Sequence, residues 1–272
     1  MLKMKNYLKF FLIVSIFYSC SKYQKVLRST DYDYKFEKAV SYYNDGDFNR
    51  AMPIFNELST VLKGTSKIHE VSYYYAYCNY GIGDNLMAAY LFRDYTRSFP
   101  NSKHTEECAY MTAFCYYNEA PDYSLDPTNV YMAIKELQSF INRYPDSDKV
   151  IQCNSLIDEL RNRLSKKAFE NAKQYYLTSN YKSAIIALDN VLIDFPSFDN
   201  REEVHFLLIN ATYDLAVNSI SSKVEERLNQ SLDAYYHFKD NYPDSRYLTQ
   251  LEITYNKAKE KLTNLKNKKN EI

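Results

Sequence analysis

Histidines, cysteines and paired carboxylates are the groups from which an active site would be assembled, and in this 272-residue sequence they are dispersed. His69, His104, His205 and His237 fall on four different expected helices, with no His-Glu-x-x-His pattern and no Cys/His pairing at ligand spacing. Glu106-Glu107 and Glu202-Glu203 are adjacent carboxylates, but each pair lies at an expected helix start, where negative charge favours the macrodipole. Cys78, Cys108, Cys115 and Cys153 form no Cys-x-x-Cys, and Cys108 and Cys115 lie about 10 Å apart along one helix, too far for a disulfide. With only 4 Gly, a phosphate-cradling loop is also absent. No catalytic role, metal or cofactor is therefore expected. Setting aside Lys3, Lys5 and Lys9, the 34 basic residues fall to 31 against 34 acidic ones, and the Lys-rich stretch from Lys257 to Lys269 reads as a solvated helix end, so nucleic acid is not an expected partner. What the composition does supply is tyrosine: 29 residues, with Tyr73, Tyr74, Tyr75, Tyr77 and Tyr80 packed into eight positions. One helix face cannot bury all five. Tyr73, Tyr74 and Tyr77 are thus candidates for binding a peptide, rings stacking on its side chains and hydroxyls bonding to its backbone; packing between helices is the alternative.

Three lysines precede an apolar run from Phe10 to Tyr18, then Ser19 and Cys20, the order of a secretory signal and about half the length of a membrane span. Phe17-Tyr18-Ser19-Cys20 resembles the lipobox of bacterial lipoproteins, although that pattern prefers Leu in place of Phe17 and a small residue in place of Tyr18. The resemblance implies lipidation at Cys20 and a membrane-tethered body; an ordinary signal peptide is the alternative.

The elements that would position these residues come from a repeat. Four segments end in an aromatic residue and proline: Phe99-Pro100-Asn101, Tyr144-Pro145-Asp146, Phe195-Pro196-Ser197 and Tyr242-Pro243-Asp244. Aligned on the prolines, Ala88, Ala133, Ala184 and Ser231 stand twelve residues upstream. Phe92, Leu137, Leu188 and Tyr235 stand eight upstream, and Tyr95, Phe140, Val191 and Phe238 five upstream. These offsets trace one helical stripe, a small residue lets a neighbour approach, and proline ends the helix. Leu137, Phe140, Leu188 and Phe195 are expected to be largely buried. Ala39, Tyr42, Ala51 and Phe55 repeat the spacing of Ala172, Tyr175, Ala184 and Leu188, and both sets follow the tetratricopeptide pattern. The expected fold is all-α: a right-handed superhelical solenoid of about five tetratricopeptide-like hairpins plus a capping helix. The helix pairs are placed at 34–44 and 48–62, 67–82 and 84–98, 103–118 and 128–143, 147–178 and 181–194, and 201–219 and 225–241, with the cap at 245–267. Glu119 to Pro127 reads as a loop. The domain organisation is then a signal peptide over 1–19, a lipidated tether over 20–33, three repeats over 34–146, two repeats with a long linking helix and the cap over 147–267, and a tail over 268–272.

The lipoprotein signal, the hairpins, the aromatic-Pro-[Asp/Asn]-Ser ends and the chain length together resemble the BamD family, lipoproteins of the outer-membrane β-barrel assembly machinery. More specific are Asp126-Pro127, Phe140-Ile141-Asn142-Arg143-Tyr144-Pro145-Asp146-Ser147 and Leu160-Arg161-Asn162-Arg163-Leu164. The resemblance implies a non-catalytic scaffold, lipid-anchored at the outer membrane and facing the periplasm. Its C-terminal repeats would dock on the barrel-forming subunit BamA, and its N-terminal repeats would receive nascent outer-membrane β-barrel proteins. It places Arg201 within a residue of a basic position used toward BamA, with an ordinary helix-start arginine as the alternative. A second reading is a Tol-Pal-associated tetratricopeptide coordinator, or another periplasmic repeat adaptor, which shares such endings; those coordinators carry an N-terminal coiled coil, for which Ser21 to Tyr34 leaves no room. A glycan-binding lipoprotein would need longer insertions than Glu119 to Pro127.

Overall fold

A computed structural model describes residues 22–270, with side chains through residue 267; the signal segment and Cys20 lie outside the described residues. Every element among them is helical. A short helix covers residues 22–27 (α1). It is followed by α2 (Tyr32–Asn44), α3 (Phe48–Val61), α4 (Ile68–Gly81), α5 (Asn85–Ser98), α6 (Thr105–Asn118), α7 (Thr128–Arg143), α8 (Val150–Leu177), α9 (Tyr181–Asp194), α10 (Arg201–Val217), α11 (Ser221–Asn241) and α12 (Leu248–Asn270). Tetratricopeptide-like hairpins are therefore the architecture, as expected. The largest departure is α11, which begins a turn before the expected position 225 because Val224 is itself drawn into a core with Ala216 and Leu228.

The described residues divide into two compact units, one of residues 22–121 and 126–158, the other of 122–125 and 159–270. In the first, consecutive helices from α2 to α7 pack on one another, and α2 also reaches α4. Val26 of α1, Ala39, Ile54, Phe55 and Leu58 close one core, and the Tyr23 hydroxyl donates to the Arg50 carbonyl at 3.2 Å. Ala76, Ala88, Phe92, Tyr95, Cys108 and Met111 form the next. In the second unit, Phe169 and Ala172 of α8 pack with Leu188 and Val191 of α9 and Val204 and Leu207 of α10, while Leu251 and Ala258 bury α12 against what precedes it. Lys167 donates from Nζ to the carbonyls of Tyr123 and Leu125 at 3.2 and 2.8 Å, and Lys166 lies 4.1 Å from the Tyr123 ring centroid, which fastens 122–125 to α8.

Two kinds of corner recur along the chain, each with a local cause. Within hairpins, Gly46 and Gly83 take φ of 74° and 85°, and the helix closes as a Schellman motif: Gly46 and Asp47 donate back to Tyr43 and Tyr42, Gly83 and Asp84 to Tyr80 and Asn79. The following Asp47 and Asp84 then cap α3 and α5 through their carboxylates. Ser179 makes the same turn at φ 59°, without glycine's freedom. Between hairpins, the residue before each proline leaves helical geometry, as the proline ring requires. Phe99, Tyr144, Phe195 and Tyr242 have φ of −130°, −129°, −128° and −133°. Each carbonyl there accepts from the N–H three residues on, all at 3.1 Å, and Ser102, Ser147 and Ser245 accept from the next helix's start.

The aligned stripe lies inside. Ala88, Ala133, Ala184, Leu137 and Leu188 are fully buried, and Phe140 is 2% exposed. Phe195 is only half-buried, contrary to expectation, because the aromatic before proline sits on the corner, past the last turn that faces the core. Gly81 in α4 has a separate reason: a β-carbon there would overlap the Phe48 ring.

Candidate functional site

The tyrosine run of α4 is divided between two cores. Tyr74 and Tyr75 turn back toward the first hairpin, where the Tyr74 ring stacks on Phe55 at 5.4 Å and meets Tyr43 edge-on at 5.0 Å. Tyr73, Tyr77 and Tyr80 turn forward to α5 and α6. All five are half-buried. Tyr73 and Tyr77 both donate their hydroxyl hydrogens to Oε1 of Glu107, Tyr73 at 3.0 Å. His104 Nδ1 lies 3.3 Å from the other oxygen of Glu107, and its ring lies over Tyr73 with centroids 4.3 Å apart. Burial, and then the neighbouring Glu107, hold the Tyr73 phenol well above its ordinary pKa; for Tyr77, burial and its hydrogen bond to Glu107 do the same. These two phenols are therefore proton donors already committed to one carboxylate, and what Tyr73 and Tyr77 offer a ligand is ring surface rather than free hydroxyls.

Glu107 and His104 as the hub of this cluster were not anticipated; the available signal was that Tyr73 and Glu107 stand 34 residues apart, one tetratricopeptide period. Glu202 and Glu203 at the start of α10 serve similarly, accepting from Ser245 at 2.7 Å and Lys173 at 2.8 Å. Arg201 donates from Nη1 to the carbonyls of Leu192 and Pro196 at 3.2 and 3.3 Å, satisfying carbonyls freed where α9 ends. Arg201 and the tyrosines belong to different compact units. Among the described residues no group of three or more His, Cys, Asp or Glu could hold a metal ion, and no helix is long and apolar enough to cross a membrane.

The family model described as YfiO, outer membrane lipoprotein, matches residues 30–225 and 168–268, thus hairpins in both units. The chain belongs to this family, the BamD-type outer membrane lipoproteins. Among curated relatives of the family, the putative outer membrane protein assembly factor BamD of Aquifex aeolicus is 28% identical over 176 residues, 64% of this chain and 58% of that protein. The outer membrane protein assembly factor BamD of Caulobacter vibrioides is 21% identical over 149 residues, 55% of this chain and 46% of that protein. The chain thus spans about half the length of the curated relatives it matches. Of solved structures, the TPR2AB domain of yeast Sti1 in its pHSP90 complex is similar with a TM-score of 0.40 and 15% identity, over 84% of this chain and 98% of that one.

Proposed function

We propose that this lipoprotein is a non-catalytic scaffold of the outer-membrane β-barrel assembly complex, binding a BamA-like barrel-forming subunit and nascent barrel proteins. The observation that carries the reading is the family match across the hairpins of both units. The names of the two relatives, both assembly factors, point the same way. A lipid on Cys20 holds the protein to the outer membrane with its body in the periplasm. The repeats over 34–146 receive clients, and those over 147–267 dock on the barrel-forming subunit. Because the Tyr73 and Tyr77 hydroxyls already serve Glu107, the client meets their rings and that of Tyr74. Arg201 contributes to the subunit contact from the corner it braces.

Affinity purification of the tagged chain from solubilised membranes, followed by mass spectrometry, tests the scaffold role. Recovery of a large barrel protein is the expected result; recovery of Tol-Pal components without one would favour the envelope-coordinator reading instead. For the groove, a fluorescent peptide from the C-terminus of a barrel protein is titrated against the parent and against Tyr73→Ala with Tyr74→Ala. Equal affinity, with the helical circular dichroism intact, would remove the groove and leave the scaffold role standing.

A further inference from the structure

Away from the α4 tyrosines and from Arg201, the first compact unit carries a cleft of about 620 Å³ between α5 and α7, floored by α6. Four cations line it against one carboxylate: Arg93, Arg97, Lys135 and Arg143 with Glu136. Arg93 is spoken for, since Nη2 reaches Glu136 at 2.8 Å and its guanidinium lies 5.4 Å from the Tyr116 ring centroid. That pair neutralises itself and stiffens the wall. Arg97, Lys135 and Arg143 have no ion-pair or hydrogen-bond partner for their side chains among the described residues, and all three are exposed. Their charges converge on one concavity without a counter-charge. A position near a helix C-terminus favours a cation and accounts for arginine at 97 and 143, but not for Lys135, nor for all three facing the same space.

We infer that this cleft binds an extended acidic segment of a partner protein. The spacing selects the occupant. Lys135 and Arg143 are eight residues apart on α7, hence about 12 Å along its axis, so one small anion meets both only if the two side chains fold toward each other, whereas charges spread along a chain meet each where it stands. In an extended chain, side chains on one face recur about every 7 Å, so carboxylates two to four residues apart reach both cations, while Arg97 engages a third from the opposite wall. Arginine's planar fork suits carboxylates in two-pronged contact. The inference goes beyond the assembly role and shares no residue with the sites proposed above.

The test uses the full chain in detergent and a fluorescent octapeptide of alternating Asp and Ser, with an Asn/Ser peptide as control. The acidic peptide should bind, with affinity falling as salt rises, and the Asn peptide should not. Arg97→Gln with Lys135→Gln and Arg143→Gln should weaken binding at least tenfold, whereas Tyr73→Ala with Tyr74→Ala should leave it unchanged. If the triple variant loses helicity, a single charge reversal, Arg143→Glu, supplies the test, and it should weaken the acidic peptide. Equal binding by parent and either folded variant would overturn the inference. So would pyrophosphate or phosphatidylglycerol vesicles binding through these three residues while the acidic peptide does not. Failure of the barrel-subunit pull-down with this result intact would count against the assembly role alone.

Discussion

Glu107 shows how much of a side chain's role is decided by what the fold brings to it. As a residue in the first turn of α6 it satisfies the helix dipole, and the sequence explains it fully on that basis. The structure adds Tyr73, Tyr77 and His104, two of them from a helix 30 and 34 residues away. The tyrosine run was legible as an excess that one face could not bury; the splitting of its rings between two cores was not, because both sides of α4 are covered only once α2 and α6 are in place. Tyr77→Phe keeps the ring contact with Phe92 and removes the hydrogen bond to a charged acceptor, so unfolding in urea should show a loss of about 1–2 kcal/mol. His205 makes a pH prediction. Burial, assisted by Arg201, lowers its pKa from 6.5, so in mildly acidic solution the unfolded chain binds more protons than the folded one. Its contribution to stability is therefore full above the unfolded pKa and is lost as pH falls below about 6.5 toward the lower folded value. Thermal denaturation between pH 7.5 and 5 should show that decline, and His205→Asn should flatten it.

At the scale of elements, the recurrence of two corners does most of the organising. The proline corners were readable directly, since an aromatic-Pro pair with a small residue twelve positions upstream fixes where a helix stops and where its neighbour comes close. The glycine corners were less visible, for with 4 Gly in the chain only Gly46 and Gly83 mark them, and Ser179 makes the third without a signature. An L-residue in the left-handed region costs roughly 1–2 kcal/mol, part of which glycine returns as unfolded-state entropy. Ser179→Gly should therefore stabilise the chain by about 0.5–1 kcal/mol in denaturant titrations, giving this helix end the residue that Gly46 and Gly83 supply to the other two. The stripe gives the opposite sign. Leu137 is fully buried, and Leu137→Ala should cost about 2–5 kcal/mol, as read from the shift in urea midpoint. A loss under 1 kcal/mol would mean that the aligned positions do not form the core.

For the molecule as a whole, class and family lay open in periodicity and motif, whereas the cleft between α5 and α7 did not. Its cations stand four positions apart on α5 and eight apart on α7, and nothing in their spacing shows that Arg93 alone finds a carboxylate while its neighbours go without. The anchor is tested at this scale: Cys20→Ser should release the protein from the membrane pellet to the soluble periplasmic fraction, and the parent's N-terminal peptide should carry acyl mass. Beyond Cys20, the four remaining cysteines are all buried and unpaired thiols. Burial pushes Cys78 and Cys115 up to about 12 and Cys153 up to about 11, with Cys108 raised as well. At neutral pH roughly one thiol in ten thousand, or fewer, is then thiolate while the packing is closed. An alkylating reagent can react appreciably only during the moments when a hairpin breathes open, so each cysteine is a stopwatch on its own neighbourhood. The order in which Cys78, Cys108, Cys115 and Cys153 become labelled would rank how readily successive parts of the chain open, without any probe having to be introduced.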